Sequence, residues 1–148
     1  MKIEGANEIP APQDKVWTAF QDPATLAKAI PGCEGLEEIG PGEYKAVMKV
    51  GVAAIKGTFE GKVKLMDLEP PNRYRMSMEG KGGPGFVKGE ATMSLSSVDP
   101  GTTRVSYDAD VQVGGLIASV GQRMLGGVSK MMLDQFFTRM SELLAEKK

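Results

Sequence analysis

The chain has 148 residues, with 18 basic and 19 acidic side chains and a formal charge of −1, which suits one domain and lacks the basic footprint of a nucleic-acid binder. It holds one cysteine, Cys33, and no histidine. That excludes a disulfide framework, Ser-His and Cys-His dyads and every imidazole-based zinc site. Methionine and glycine are in excess, at 10 and 19 residues. One is flexible and polarisable, the other removes side-chain volume, and together they suggest an adaptable interior.

Residues 2–9, KIEGANEI, alternate loosely and read as a strand that ends at Pro10 and Pro12. The stretch 11–22 carries Val16, Trp17, Ala19 and Phe20 at helical spacing, with Asp14 in the first turn, where negative charge suits the helix dipole. Asp22 can cap a second short helix, 23–30, with Pro23 at its first position.

From residue 33 the period changes to two. Strands are predicted near 34–40, 43–53, 55–68, 73–82, 86–98 and 103–113, joined by short Gly- and Pro-rich turns. The alternation assigns one apolar face to Ile55, Phe59, Val63 and Leu65, to Tyr74, Met76 and Met78, to Val87, Ala91, Met93 and Leu95, and to Val105, Tyr107, Ala109, Val111 and Val113. Pairing around Glu69-Pro70 puts Phe59 opposite Gly80 and Met78 opposite Gly61. Pairing around Gly83-Pro84 puts Met78 opposite Gly89 and Met76 opposite Ala91. Large side chains thus meet glycine or alanine. Two readings stay open: ordinary interdigitation in a filled core, or a sheet thinned to leave room for a guest.

Residues 116–147 read as one long helix of about 45 Å. Ile117, Val120, Met124, Val128 and Met131 make one apolar stripe. Met132, Leu133, Phe136, Met140, Leu143 and Leu144 make a second, rotated by roughly a third of a turn. Gly121, Gly126 and Gly127 loosen the first half, which suggests a gate over the sheet or a close helix–sheet contact.

Candidate chemistry is sparse. Cys33 lacks an activating neighbour and reads as a small hydrophobe. Asp108 and Asp110 share the outer face, where carboxylates are solvated rather than set up as an acid–base pair. GKGGPGFVKG (80–89) lacks P-loop spacing and lies between strands, so it is not a phosphate loop. Lys62, Lys64, Arg73 and Arg75 share the outer face, with Lys64 expected opposite Arg75. This patch suits an acidic partner or an anionic membrane surface, or is simply solvated. No apolar leader opens the chain and no run of about 18 apolar residues crosses a bilayer, so a cytoplasmic address is expected.

One strand, two short helices, a six-stranded antiparallel meander and a long C-terminal helix is the order of the helix-grip fold. The segments IPGCEGLEEIG (30–40), EYKAVMKVGVAAIKGTFEGKVKL (43–65), PPNRY (70–74), EGKGGPGFVKGEATMSL (79–95) and VGGLIASVGQRMLGG (113–127) resemble the carbon monoxide dehydrogenase G-subunit (CoxG) family of the START/Bet v 1-like superfamily. Their span covers most of the chain, and KGTFEGKV and EGKGG..GFVKGEA are the specific parts.

The resemblance implies a single α+β helix-grip domain over 1–148, its sheet wrapped around the long helix, with a hydrophobic cavity between the two. It implies a non-catalytic accessory protein of molybdenum-hydroxylase-type carbon monoxide dehydrogenases, tied to recruitment of the enzyme to the inner face of the cytoplasmic membrane. Family members often carry a C-terminal membrane-binding tail. This sequence stops at Lys148, so anchoring through such a tail is not expected.

Joined to the methionine-rich inner face, these implications lead to a cavity that accepts a quinone or lipid, with no other cofactor and no metal. The expected lining is Phe59, Met76, Met78, Met93 and Tyr107 from the sheet and Ile117, Val120 and Met124 from the helix, with Tyr107 as the polar handle. The expected partners are that ligand, the dehydrogenase or a related oxidoreductase, and a peripheral membrane contact, with no nucleic acid. The rival readings are an adaptor with a filled core, docking through Lys62, Lys64, Arg73 and Arg75, and a polyketide-cyclase-like enzyme.

Overall fold

The computed structural model of the chain describes residues 1–52, 55–83 and 85–146. Ala53, Pro84 and Lys147, at the edges of an expected strand, turn and helix, lie outside the described residues, as does the Ile55 side chain.

Strand β1 (Lys2–Ile9) leads into α1 (Gln13–Gln21) and α2 (Pro23–Ala29). Helix α1 has no side-chain cap and starts from the extended backbone of Pro12, but it buries Val16, Ala19 and Phe20. Asp22 caps α2: its carboxylate accepts the Ala24 N–H at 3.2 Å and the Thr25 hydroxyl at 2.6 Å. Six strands follow: β2 (Cys33–Gly40), β3 (Glu43–Val52), β4 (Ile55–Glu69), β5 (Arg73–Gly82), β6 (Gly85–Asp99) and β7 (Thr102–Gly114).

These strands form an antiparallel meander, and β1 closes onto β7, so the sheet order is β1-β7-β6-β5-β4-β3-β2. The inner face carries the core: Ile9, Val16, Val105 and Met140 are 0% exposed, and Phe20 is 1% exposed. The buried Thr103 hydroxyl donates to the Ala11 carbonyl at 2.7 Å and ties β7 to the entry of α1. The Gln13 side-chain amide shares its hydrogens among the carbonyls of Pro71 and Leu95 and the Asn72 side chain, pinning α1 over the β4–β5 turn.

The β5–β6 register is the expected one, with Met78 opposite Gly89 and Met76 opposite Ala91. The β4–β5 register differs by two residues: Phe59 faces Gly82, Gly61 faces Gly80 and Val63 faces Met78. A bulge between Met66 and Glu69, with Asp67 in the left-handed region (φ 50), absorbs the extra chain. A slip of two preserves which residues face inward. It also moves Arg75 opposite Met66 and Lys64 opposite Ser77, so the expected like-charge pair does not form.

The C-terminal helix is two helices, α3 (Leu116–Ser119) and α4 (Gln122–Glu146). Gly121 adopts φ +89 between them, a conformation that only glycine takes readily, and it breaks the expected continuous rod. The break shifts the phase of the apolar stripe. Leu125 and Phe137 are buried, while Met124 and Met131, expected on the buried stripe, are 43% and 37% exposed.

Candidate functional site: an apolar cavity under the C-terminal helix

Between the inner sheet face and α4 lies a cavity of about 340 Å³. Its floor comes from β5, β6 and β7. Met76 and Met78 stand beside Ala91, and Ala91 pairs with Ala109. This pair of alanines makes the floor shallow where larger residues would have met the helix. The roof comes from α4, through Ser129, Met132, Leu133, Phe136 and Phe137, and the side from Leu26, Ile30 and Leu36. Phe20–Phe136 (5.7 Å) and Phe136–Phe137 (5.2 Å) meet edge to face, and Tyr107 stacks on Phe137 (5.6 Å), so an aromatic cluster closes the end toward the core.

Of the expected lining residues, Met76, Met78, Met93 and Tyr107 stand on this cavity wall. Phe59, Ile117 and Val120 do not. They pack with Leu125 in a second apolar cluster beneath α3 and the start of α4. Met124 points outward. The sequence reasoning missed Leu133, Phe136 and Phe137 as roof and Tyr44 and Tyr74 as wall. The second apolar stripe of the helix was the available signal for the roof. Only the break at Gly121 shows that this stripe, not the first, covers the room.

No lining residue is charged. The polar side chains on the wall are three tyrosines and Ser129. Burial pushes the Tyr44 phenol up, helped by Glu38, whose carboxylate accepts its hydrogen bond. Burial also raises Tyr107; nearby Asp134 adds to this and Lys130 opposes it. Tyr74 is 3% exposed, and burial alone drives its phenol far above the usual range. All three stay neutral donors at physiological pH. Among the described residues no group of acidic and cysteine side chains could hold a metal. Cys33 donates to the Gly35 carbonyl at 3.5 Å, and burial raises its thiol, the reverse of an activated nucleophile.

A larger groove, about 550 Å³, lies on the opposite face of the sheet and is lined by charges of both signs, including Lys62, Lys64, Lys88, Glu79, Glu90 and Asp110. It is less suited to a ligand because nothing converges on one point of it. The expected basic patch is also neutralised here. Lys64 pairs with Glu43 (3.7 Å), Arg73 with Glu69 (2.8 Å), and Arg75 with both Asp67 (3.5 Å) and Glu90 (3.1 Å). Lys62 lies across from Glu79. Among the described residues no helix is long and apolar enough to cross a membrane.

The model of the carbon monoxide dehydrogenase G-subunit (CoxG) family matches residues 5–145. The chain belongs to this family. A conserved protein of Geobacillus kaustophilus has a crystal structure 37% identical, covering 99% of this chain and 96% of its own, at a TM-score of 0.96. A START superfamily protein from Mycobacterium smegmatis superposes at 0.79 with 13% identity and 99% coverage of both chains. The Zhui aromatase/cyclase of Streptomyces sp. R1128 superposes at 0.73 with 17% identity, covering 99% of this chain and 94% of its own. The last two likenesses show the fold alone, and that fold is START-like. No curated protein matches the chain.

Proposed function

We propose that this CoxG family member binds a quinone or lipid in the cavity beneath α4. In doing so it serves a molybdenum-hydroxylase-type carbon monoxide dehydrogenase, or a related oxidoreductase, as a non-catalytic link to the membrane quinone pool. One observation carries the reading: a cavity with no charged lining residue, walled by methionines and aromatic rings. Removing an apolar body from water is worth roughly 25 cal/mol per Å², and a wall without charges pays no desolvation for accepting it. Methionine side chains re-pack around guests of different outline. At about 340 Å³ the cavity is at the small end of ligand pockets. It suits a ring and the first part of a chain, with the rest of a long tail outside.

Organic-solvent extraction of the purified protein, followed by mass spectrometry, tests this. A stoichiometric quinone or lipid is expected. An empty extract together with no thermal shift on adding quinones or lipids would overturn it. Ala109→Phe, which puts a ring into the floor, should abolish loading while the protein stays folded. The adaptor reading predicts instead that Lys62, Lys64, Arg73 and Arg75 carry function, and their acidic partners weaken it. The cyclase reading predicts turnover of a polyketide chain that Tyr107→Phe abolishes.

A further inference from the structure

The antiparallel order of the sheet brings three separate stretches toward one end of the molecule. The end of β3 pairs with the start of β4, Phe59 of β4 pairs with Gly82 at the end of β5, and Phe86 at the start of β6 pairs with Gly114 at the end of β7. Helix α3 and the first turn of α4 follow directly. In these stretches, 44–59, 80–89 and 111–129, the charged residues are Lys45, Lys49, Lys56, Lys81, Lys88 and Arg123, with no acid among them. All are exposed. Glu60 and Glu79 stand across from Lys81 and Lys88, yet none of these cations closes an ion pair among the described residues. At the opposite end Glu69 and Asp67 hold Arg73 and Arg75, and Asp99 closes β6. The whole chain carries −1, so the excess of cations is local.

The same end presents apolar side chains to water. The Phe86 ring lies across Gly114, Leu116 opens α3 and Met124 stands on the first turn of α4; all three are exposed, Leu116 by 69%. Large apolar side chains interleaved with unpaired cations, on turns and a helix end rather than in a groove, have the chemistry of an interfacial lipid contact. We infer that the folded domain docks on an anionic lipid surface through this end, with Phe86, Leu116 and Met124 dipping below the headgroups and the lysines facing their phosphates. An acidic protein fits less well. Lysine is depleted in protein interfaces, whereas attraction to anionic headgroups acts on each exposed cation near the surface. The docking does not depend on what the cavity holds.

Co-sedimentation of the whole chain with vesicles tests this. The protein should bind vesicles of phosphatidylglycerol and phosphatidylcholine, bind pure phosphatidylcholine at least about tenfold more weakly, and come off as salt rises. Lys49→Gln, Lys56→Gln and Lys81→Gln together should weaken binding about 100-fold, at about fivefold per cation. Leu116→Ser should weaken it about tenfold without altering its salt dependence. Lys64→Gln with Arg75→Gln, on the ion-paired part of the sheet, should leave it within about twofold. These side chains are all exposed, so every variant should melt like the wild type. Equal binding to both kinds of vesicle, or an equal loss in the Lys64 and Arg75 control, overturns the role of this end. Binding to neither overturns lipid docking and leaves the end to an acidic protein surface. The extraction result for the cavity stands apart from each of these outcomes.

Discussion

The two halves of α4 are both rich in apolar residues, yet they pack differently. From Phe136 onward, Phe137, Met140 and Leu144 are 0–6% exposed, pressed against Phe20, Val16 and Ile9. Before Met132 only Leu125 is buried; Met124 and Met131 are exposed, and a Cβ at Gly126 or Gly127 would meet nothing. The difference lies in what is underneath. The second half packs on α1, α2 and β1, which offer large side chains. The first half stands over a small cluster around Phe59 and Ile117. An apolar face is buried only as far as its partner fills the space opposite, so hydropathy alone does not rank the two halves. The cavity sits where these regimes meet, roofed from Ser129 to Phe137.

The largest test of this contrast is Met140→Ala beside Met124→Ala. The first should cost about 2–5 kcal/mol, as a cavity in the closed core does. The second should stay within about 0.5 kcal/mol. Denaturant titration measures both, and similar costs would erase the distinction between the halves.

Next is Gly126→Ala combined with Gly127→Ala. With open space around both, the pair should stabilise the helix by about 2 kcal/mol. If the loose half admits ligand, the same pair should slow uptake of an added quinone in stopped-flow. Stabilisation with unchanged uptake would remove the gate and keep the packing contrast.

The smallest effect concerns Tyr74 and pH. Its phenol is raised by burial, so the folded chain holds a proton that the unfolded chain gives up above about pH 10. The unfolded state then binds fewer protons, and stability falls as pH rises. Relative to Tyr74→Phe, the wild type should lose about 1 kcal/mol by pH 11. Parallel profiles for the two proteins would mean the ring is more solvated than its place beside Trp17 implies.

Much of the architecture was readable along the chain. The shift to a period of two at residue 33 marked the six meander strands, and the turn residues bounded them closely. The tight Gly82–Gly85 connection set the β5–β6 register, because a short turn leaves no slack. The β4–β5 register escaped because the residues between Met66 and Glu69 form a bulge, which an alternating pattern does not announce. The outer cations looked like a patch because their partners, Glu43, Asp67 and Glu90, come from other strands or beyond the bulge.

The sequence by itself determined the element order, the inward set of each strand, the family and the apolar character of the interior. These follow from local periodicity and from motifs read within single segments. Only the tertiary structure decided where the empty space lies and which residues face it. A void is set by volumes summed across elements far apart in the chain: Ala91 and Ala109 below, Leu133 and Phe136 above, with the helix phase reset at Gly121. No single segment records that sum, so Phe59 and Met124 fell outside the cavity and Tyr74 within it.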